Sequence, residues 1–354
     1  MTALRDRIAA LIASQGPISI AEYMTLVLPA YYATRDPLGA KGDFITSPEV
    51  SQMFGELIGL WLAQAWHDQG KPARPLLVEM GPGRGTLMAD ALRAMKLMPE
   101  LRDAVEVVLV ETSLVLRKVQ EGTLRESSVP VRWADSFEDV PRNRPLLLVA
   151  NEFFDALPIR QYVKTDRGWC ERMVMLDARG ELGFGIAPVA IGAGLVPRDG
   201  APLGAVYETS PPGDALAEEI GFRIAHDGGA ALVIDYGYGA DAGFAETLQA
   251  VKSHSFTDVL IDPSASDLSA HVDFAALASA ARRGGASVAG PASQGDFLDG
   301  LGIRHRADAL ANVRGADPEK IYRQVARLID DDQMGTLFKV ISILPPNAPK
   351  PPGL

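Results

Sequence analysis

One run constrains this chain more than any other: Leu77-Val78-Glu79-Met80-Gly81-Pro82-Gly83-Arg84-Gly85-Thr86-Leu87, a short apolar strand, a turn with glycine at 81, 83 and 85, and the start of a helix. Glycine removes Cβ where the backbone must turn sharply and a ligand must approach it closely. A phosphate P-loop would end in Gly-Lys-Ser/Thr, which this run lacks. A dinucleotide fingerprint G-x-G-x-x-G would need glycine at 86, where Thr86 stands, and this demotes NAD and FAD. A tight turn without a ligand is the bland alternative.

The surrounding pattern is that of a parallel α/β sheet. Runs at 76–79, 105–110, 129–133, 146–150 and 230–234 are mostly apolar on successive residues, as in strands buried on both faces, and helix-length segments separate them. A last strand is expected at 336–344, after a helix at 318–329. Before the sheet, Ser47-Pro48 reads as an N-cap and first helical residue. Val50, Met53, Phe54, Leu57, Ile58, Trp61 and Ala65 follow at helical spacing. Tyr31, Tyr32, Trp61 and Trp66 read as packing residues. The stretch 160–188 reads as antiparallel hairpins with a turn at 177–180, and 238–273 as a long connection over the carboxyl edge of the sheet. The expected organisation is a helical cap at 1–70, a core at 71–345 with insertions near 156–228 and 238–273, and a frayed Pro-rich tail at 346–354.

Composition narrows the partners. With 34 Lys and Arg against 45 Asp and Glu, the formal charge is −11, which argues against a nonspecific nucleic-acid binder but leaves a cationic protein substrate open. Cys170 is the only cysteine, so an intrachain disulfide and a Cys-rich zinc site are excluded, and no metal is expected. No apolar run approaches the roughly 20 residues that cross a bilayer. Without a signal-like or transit-like N-terminus, the expectation is a cytoplasmic, bacterial-like protein with no membrane insertion.

The remaining pattern, E-x-G-x-G-x-G from Glu79 to Gly85, looks like motif I of class I S-adenosylmethionine (SAM) methyltransferases. That resemblance makes Glu79, Gly81, Gly83 and Gly85 cofactor residues. Glu111 ends the second strand, where a carboxylate can accept both ribose hydroxyls, and Asp135, followed by Ser136 after the third, can accept from the adenine amino group. Asp43 or Thr46 would touch the methionine end of the cofactor while Phe44 closes the cavity; the alternative is a turn that merely caps the helix. Asn151, Glu152 and Asp155 follow the fourth strand, where polar groups are costly unless paired or solvated. They are read as acceptor-side residues, with helix capping and dipole pairing as the alternative. Tyr236 is expected beside the acceptor, and His271 is either a loop anchor or a substrate contact.

The segments Gly42-Asp43-Phe44-Ile45-Thr46-Ser47-Pro48-Glu49, Glu79-Met80-Gly81-Pro82-Gly83-Arg84-Gly85, Asn151-Glu152-Phe153-Phe154-Asp155-Ala156-Leu157-Pro158, Ile234-Asp235-Tyr236-Gly237 and His271-Val272-Asp273-Phe274 together resemble the MidA-type methyltransferases, which include the mitochondrial complex I assembly factor. The similarity runs over nearly the whole chain in the same order. It implies a class I SAM-methyltransferase fold, SAM as cofactor, and symmetric dimethylation of an arginine in the 49-kDa-type subunit of NADH:quinone oxidoreductase. Glu152 and Asp155 would then hold the guanidinium and take its proton. A small-molecule methyltransferase and a non-catalytic assembly chaperone are the competing readings.

Overall fold

The computed structural model describes residues 4–32, 46–192, 196, 200–239, 244–252 and 255–354. Seven strands form the central sheet: β1 (Leu76–Met80), β2 (Glu106–Val110), β3 (Val131–Ala134), β4 (Leu146–Asn151), β5 (Gly229–Tyr238), β6 (Ser287–Ser293) and β7 (Phe338–Leu344). They lie in the order β6-β7-β5-β4-β1-β2-β3, and the two-residue strand Val272–Asp273 pairs with β5. β1 to β5 are parallel to their neighbours among themselves, whereas β7 is antiparallel to β5 and β6.

Alternate residues of the buried strands feed two cores. Leu77, Val107, Leu109, Leu147 and Val149 face helices Gln52–Asp68, Thr86–Ala94 and Pro318–Ile329. Leu76, Val78, Val108, Leu146 and Leu148 face helices Pro211–Asp227 and Phe274–Arg283. Burial on both faces is why these strands read as unbroken apolar runs. Helix Gln52–Asp68 approaches helix Thr86–Ala94 so closely that a Cβ on Gly59 would lie 2.6 Å from Ala91 Cα. The chain order reverses beside β1, whose two neighbours are β2 and β4, with Met80 opposite Val110 and Ala150. That switch point opens a crevice at the carboxyl ends of β1 and β4.

A second unit sits beside this core. Strands Ile18–Ser19, Arg160–Thr165, Gly168–Leu176, Leu182–Ala190 and Val206–Thr209 form a five-stranded sheet. Ile8, Tyr23, Met24 and Val27 from helices Leu4–Gln15 and Ile20–Tyr32 pack with Ile159, Val174, Leu260 and Leu268 in a third core. The N-terminal helices and both inserted stretches therefore share one core.

Several expectations are corrected. The helix at Ser47 runs only from Ser47 to Val50; Thr46 occupies its N-cap, and Ser51, in extended backbone, caps the long helix instead through a bond from Met53 N–H. Helix Gln52–Asp68 belongs to the central core, not to a separate cap, and helix Pro211–Asp227 likewise lies against the sheet, not in the insertion. The stretch 238–273 holds a small sheet of Gln249–Lys252, Ser255–Thr257 and Asp267–Ser269. The tail is docked: Trp61 Nε1 donates to Pro352 O at 3.1 Å, and Leu354 packs on the central core.

Candidate active site

The turn after β1 holds Gly81, Gly83 and Gly85 at φ 59°, 52° and 78°, the left-handed region that side chains resist. Gly85 caps helix Thr86–Ala94. A Cβ on Gly81 would lie 2.9 Å from Phe153 Cδ2, so this turn touches the loop after β4. Between them lies a cavity of about 850 Å3, lined by the glycine turn, Glu79, Glu111, Asp135, Asn151 and Glu152, with Ser136 and Thr46 also on its wall. Asp43 and Phe44 lie outside the described residues.

The ends of β1 to β3 each bring a carboxyl group. Glu79 is buried, and burial pushes its carboxyl well above the usual range; its Oε2 has no hydrogen-bond partner among the described residues. Glu111 accepts from Ser113 N–H at 2.7 Å and from Gln120 Nε2 at 3.2 Å. Its carboxyl is raised by burial against these bonds. Asp135 is exposed and paired with Arg117 at 2.5 Å, while Arg117 also donates to Glu111 O at 2.7 Å. Ser136 turns its hydroxyl to Asp139 at 2.9 Å, in a capping arrangement that tightens the turn after β3.

The end of β4 is the strained part of the site. Glu152 stands at φ 51°, uncommon for a residue with a side chain and found where surrounding structure enforces it. Its Oε1 accepts from Ser47 N–H at 3.0 Å and from Asn151 Nδ2 at 3.0 Å. Burial, reinforced by the Asp155 carboxylate, raises its carboxyl to about 7 despite these bonds. Asn151 Oδ1 is buried with no partner among the described residues.

Asp155 departs from the expected pairing with Glu152. It is not among the residues lining the cavity; its Oδ2 accepts from the Tyr236 hydroxyl, and burial raises its carboxyl to about 6. Asp235, next to Tyr236 near the end of β5, explains why. One oxygen of this fully buried carboxylate accepts the backbone N–H groups of Phe153 (3.2 Å), Phe154 (3.0 Å) and Asp155 (3.2 Å) and curls the loop around itself. Asp235 follows the apolar run 230–234, but nothing in the sequence links it to the backbone of 153–155. Tyr236 stacks edge-on with His271 at 5.5 Å, and the His271 backbone N–H donates to Thr247 Oγ1 at 2.9 Å.

Two residues of the quoted segments tie the site together in ways their motifs did not indicate. Ser47 reaches Glu152 through its backbone, while its hydroxyl donates to the buried Gln294 Oε1 at 3.3 Å. Thr86 Oγ1 donates to Glu49 Oε1 at 2.6 Å, tying the same segment to the glycine turn.

Residues 57–292 match a family described as "Putative S-adenosyl-L-methionine-dependent methyltransferase". The chain is 40% identical to mouse protein arginine methyltransferase NDUFAF7, mitochondrial, over 94% of this chain and 82% of that protein. It is 39% identical to the human protein of that name, over 94% and 81%. The chain belongs to this methyltransferase family. A Burkholderia thailandensis protein crystallised with S-adenosyl-homocysteine superposes with a TM-score of 0.84 at 29% identity, covering 99% of this chain and 93% of that one.

The fold is thus that of a SAM-dependent methyltransferase. The cavity suits that cofactor on its own terms: three left-handed glycines leave every second position of the turn without a side chain, and Glu79 Oε2 and Asn151 Oδ1, without partners among the described residues, offer acceptors to a cationic ligand. The expected cytoplasmic location is overturned, because these NDUFAF7 relatives are mitochondrial proteins. Among the described residues, no helix is long and apolar enough to cross a membrane.

Proposed function

We propose that this methyltransferase transfers methyl groups to an arginine side chain of a protein, and that Glu152 is its base. The observation that carries the reading is the Glu152 carboxylate, on the cavity wall at φ 51° with its proton affinity raised to about 7. Bound SAM supplies an activated methyl on a sulfonium, so the protein must align the acceptor and exclude water. A guanidinium is protonated at neutral pH and its nitrogen is a poor nucleophile. Glu152 accepts hydrogen bonds from it, localises its charge on the far nitrogens, and takes the proton released as the N–C bond forms. A base whose affinity lies near 7 is ionised in part before reaction and can still hold that proton afterwards.

The glycine turn and Glu79 cradle the methionine end of the cofactor, Glu111 takes the ribose hydroxyls, and Asp135 and Ser136 flank the adenine. Asn151 and Thr46 complete the wall near the reacting centre. Asp155 acts at one remove, holding Tyr236 and the curl of the loop. The central unit serves the cofactor, and the accessory unit built from the N-terminal helices and the inserted sheets receives the acceptor protein. By family resemblance that acceptor is the 49-kDa-type subunit of complex I, whose assembly the symmetric dimethylation aids. The names of the NDUFAF7 relatives support the arginine acceptor.

Incubation with methyl-labelled SAM and a lysate separates the possibilities. Label in one polypeptide, recovered as methylarginine after hydrolysis, is the expected result. Labelled metabolites would mean a small-molecule enzyme, and no label at all a non-catalytic chaperone.

A further inference from the structure

Gln120 is fully buried on helix Leu114–Thr123, yet its side-chain amide is completely engaged. Trp133 Nε1 donates to Gln120 Oε1 at 2.7 Å. Gln120 Nε2 donates to Gly83 O at 2.7 Å and to Glu111 Oε2 at 3.2 Å. The indole N–H can only donate, so it selects the amide oxygen and leaves both N–H groups for the other side. A carbonyl and a carboxylate, both acceptors, wait there. All three partners enforce one orientation, and the reversed amide would face oxygen against oxygen twice.

We infer that Gln120, oriented by Trp133, is a positioning residue that joins the glycine turn to Glu111 and sets the carboxylate for the ribose hydroxyls of the cofactor. Ser113 N–H holds Glu111 Oε1 and Gln120 holds Oε2, one on each oxygen. A carboxylate has about four acceptor positions, and with the Thr112 backbone N–H also bearing on this one, capacity remains on the cavity side for a hydroxyl donor. The link to Gly83 O couples the turn to the carboxylate, adding a side-chain tie to the backbone bond from Gly81 N–H to Val110 O. Gly85 stays close to this amide: a Cβ there would touch Gln120 Cγ at 3.5 Å. The inference rests on the proposed reading of Glu111 as the ribose ligand.

Calorimetric binding of S-adenosyl-homocysteine to the full chain tests it, at about pH 8 and about pH 6, with each affinity expressed relative to wild type at the same pH. In Gln120→Glu the ionised carboxyl faces Gly83 O and Glu111 and cannot donate; on protonation it can. The expected result is a loss of about 10–100-fold at the higher pH, the size of a forfeited charge-assisted bond, shrinking at the lower pH. A loss equal at both pH values would reduce Gln120 to packing and overturn the proposal, as would no loss. Trp133→Phe is the gentler variant and decides if Gln120→Glu does not fold: removing the indole N–H leaves the buried Gln120 Oε1 without its donor and loosens the amide, and about threefold weaker binding is expected, against wild-type affinity if the proposal is wrong. Glu111→Gln keeps the two failures apart. If it binds as wild type, the ribose reading falls and takes the proposal with it; if it weakens while both other variants bind as wild type, the proposal alone falls.

Discussion

At the scale of single residues, the site depends on carboxyl groups held against their preference for water. Glu152 is raised to about 7, so the rate of the methyl-transfer step should climb with pH up to about 7 and level off above it, because only the ionised base accepts the guanidinium proton. A single-turnover rate that is flat from about pH 5.5 to 8.5 would remove Glu152 from that role. Asp155→Asn should cost less than Glu152→Gln, roughly tenfold against the 100-fold or more expected for loss of a base, since Asp155 touches Tyr236 and not the cavity. The sequence revealed Glu79, Glu111 and Glu152 because each ends an apolar strand, where a carboxylate is conspicuous. The roles of Asp235, which also ends an apolar run, and of Gln120 stayed hidden. Their roles depend on backbone N–H groups and an indole that only the folded chain brings to them.

At the scale of elements, the parallel strands were legible because burial on both faces writes itself as an unbroken apolar run. β6 was not: Ser287–Ser293 is a half-exposed edge strand of small residues containing Gly290 and Pro291, a composition that reads as loop. The small sheet in 238–273 was missed for a similar reason, its strands being three to four residues long. The contact beneath the glycine turn was also invisible, since Gly55 and Gly59 in a helix signal close approach only once the partner is known. Gly59→Ala places a methyl 2.6 Å from Ala91 Cα and should destabilise the protein by about 1–3 kcal/mol in denaturant unfolding. Unchanged stability would mean that helices Gln52–Asp68 and Thr86–Ala94 separate readily, and that the turn they support is less fixed than described.

For the whole molecule, the N-terminal helices Leu4–Gln15 and Ile20–Tyr32 share a core with the inserted strands, and the tail is part of the central one. Sequence distance concealed both, because the contacts join the first 32 residues to 159–270 and Trp61 to Pro352. Removal of residues 346–354 should lower stability by about 2 kcal/mol or more, through the lost Trp61 hydrogen bond and the exposed apolar surface under Leu354. An unchanged melting temperature would contradict the docked tail. Stability should also depend on pH in a definite sense. Glu152 and Asp155, raised to about 7 and about 6 from 4.5 and 3.8, bind protons more tightly folded than unfolded. Their contribution is complete below about pH 4 and is lost as pH rises through 6 to 7, so the doubly substituted Glu152→Gln, Asp155→Asn protein should show a flatter profile across that window.

The central claim joins the cofactor site to one base and one kind of acceptor. Its most direct test offers methyl-labelled SAM and the purified 49-kDa-type subunit to the wild-type protein and to Glu152→Gln, followed by hydrolysis and separation of the amino acids. The expected result is labelled methylarginine with the wild type and a loss of at least about 100-fold with Glu152→Gln, while both bind S-adenosyl-homocysteine with similar affinity. Methylarginine formed by Glu152→Gln at the wild-type rate would contradict the account.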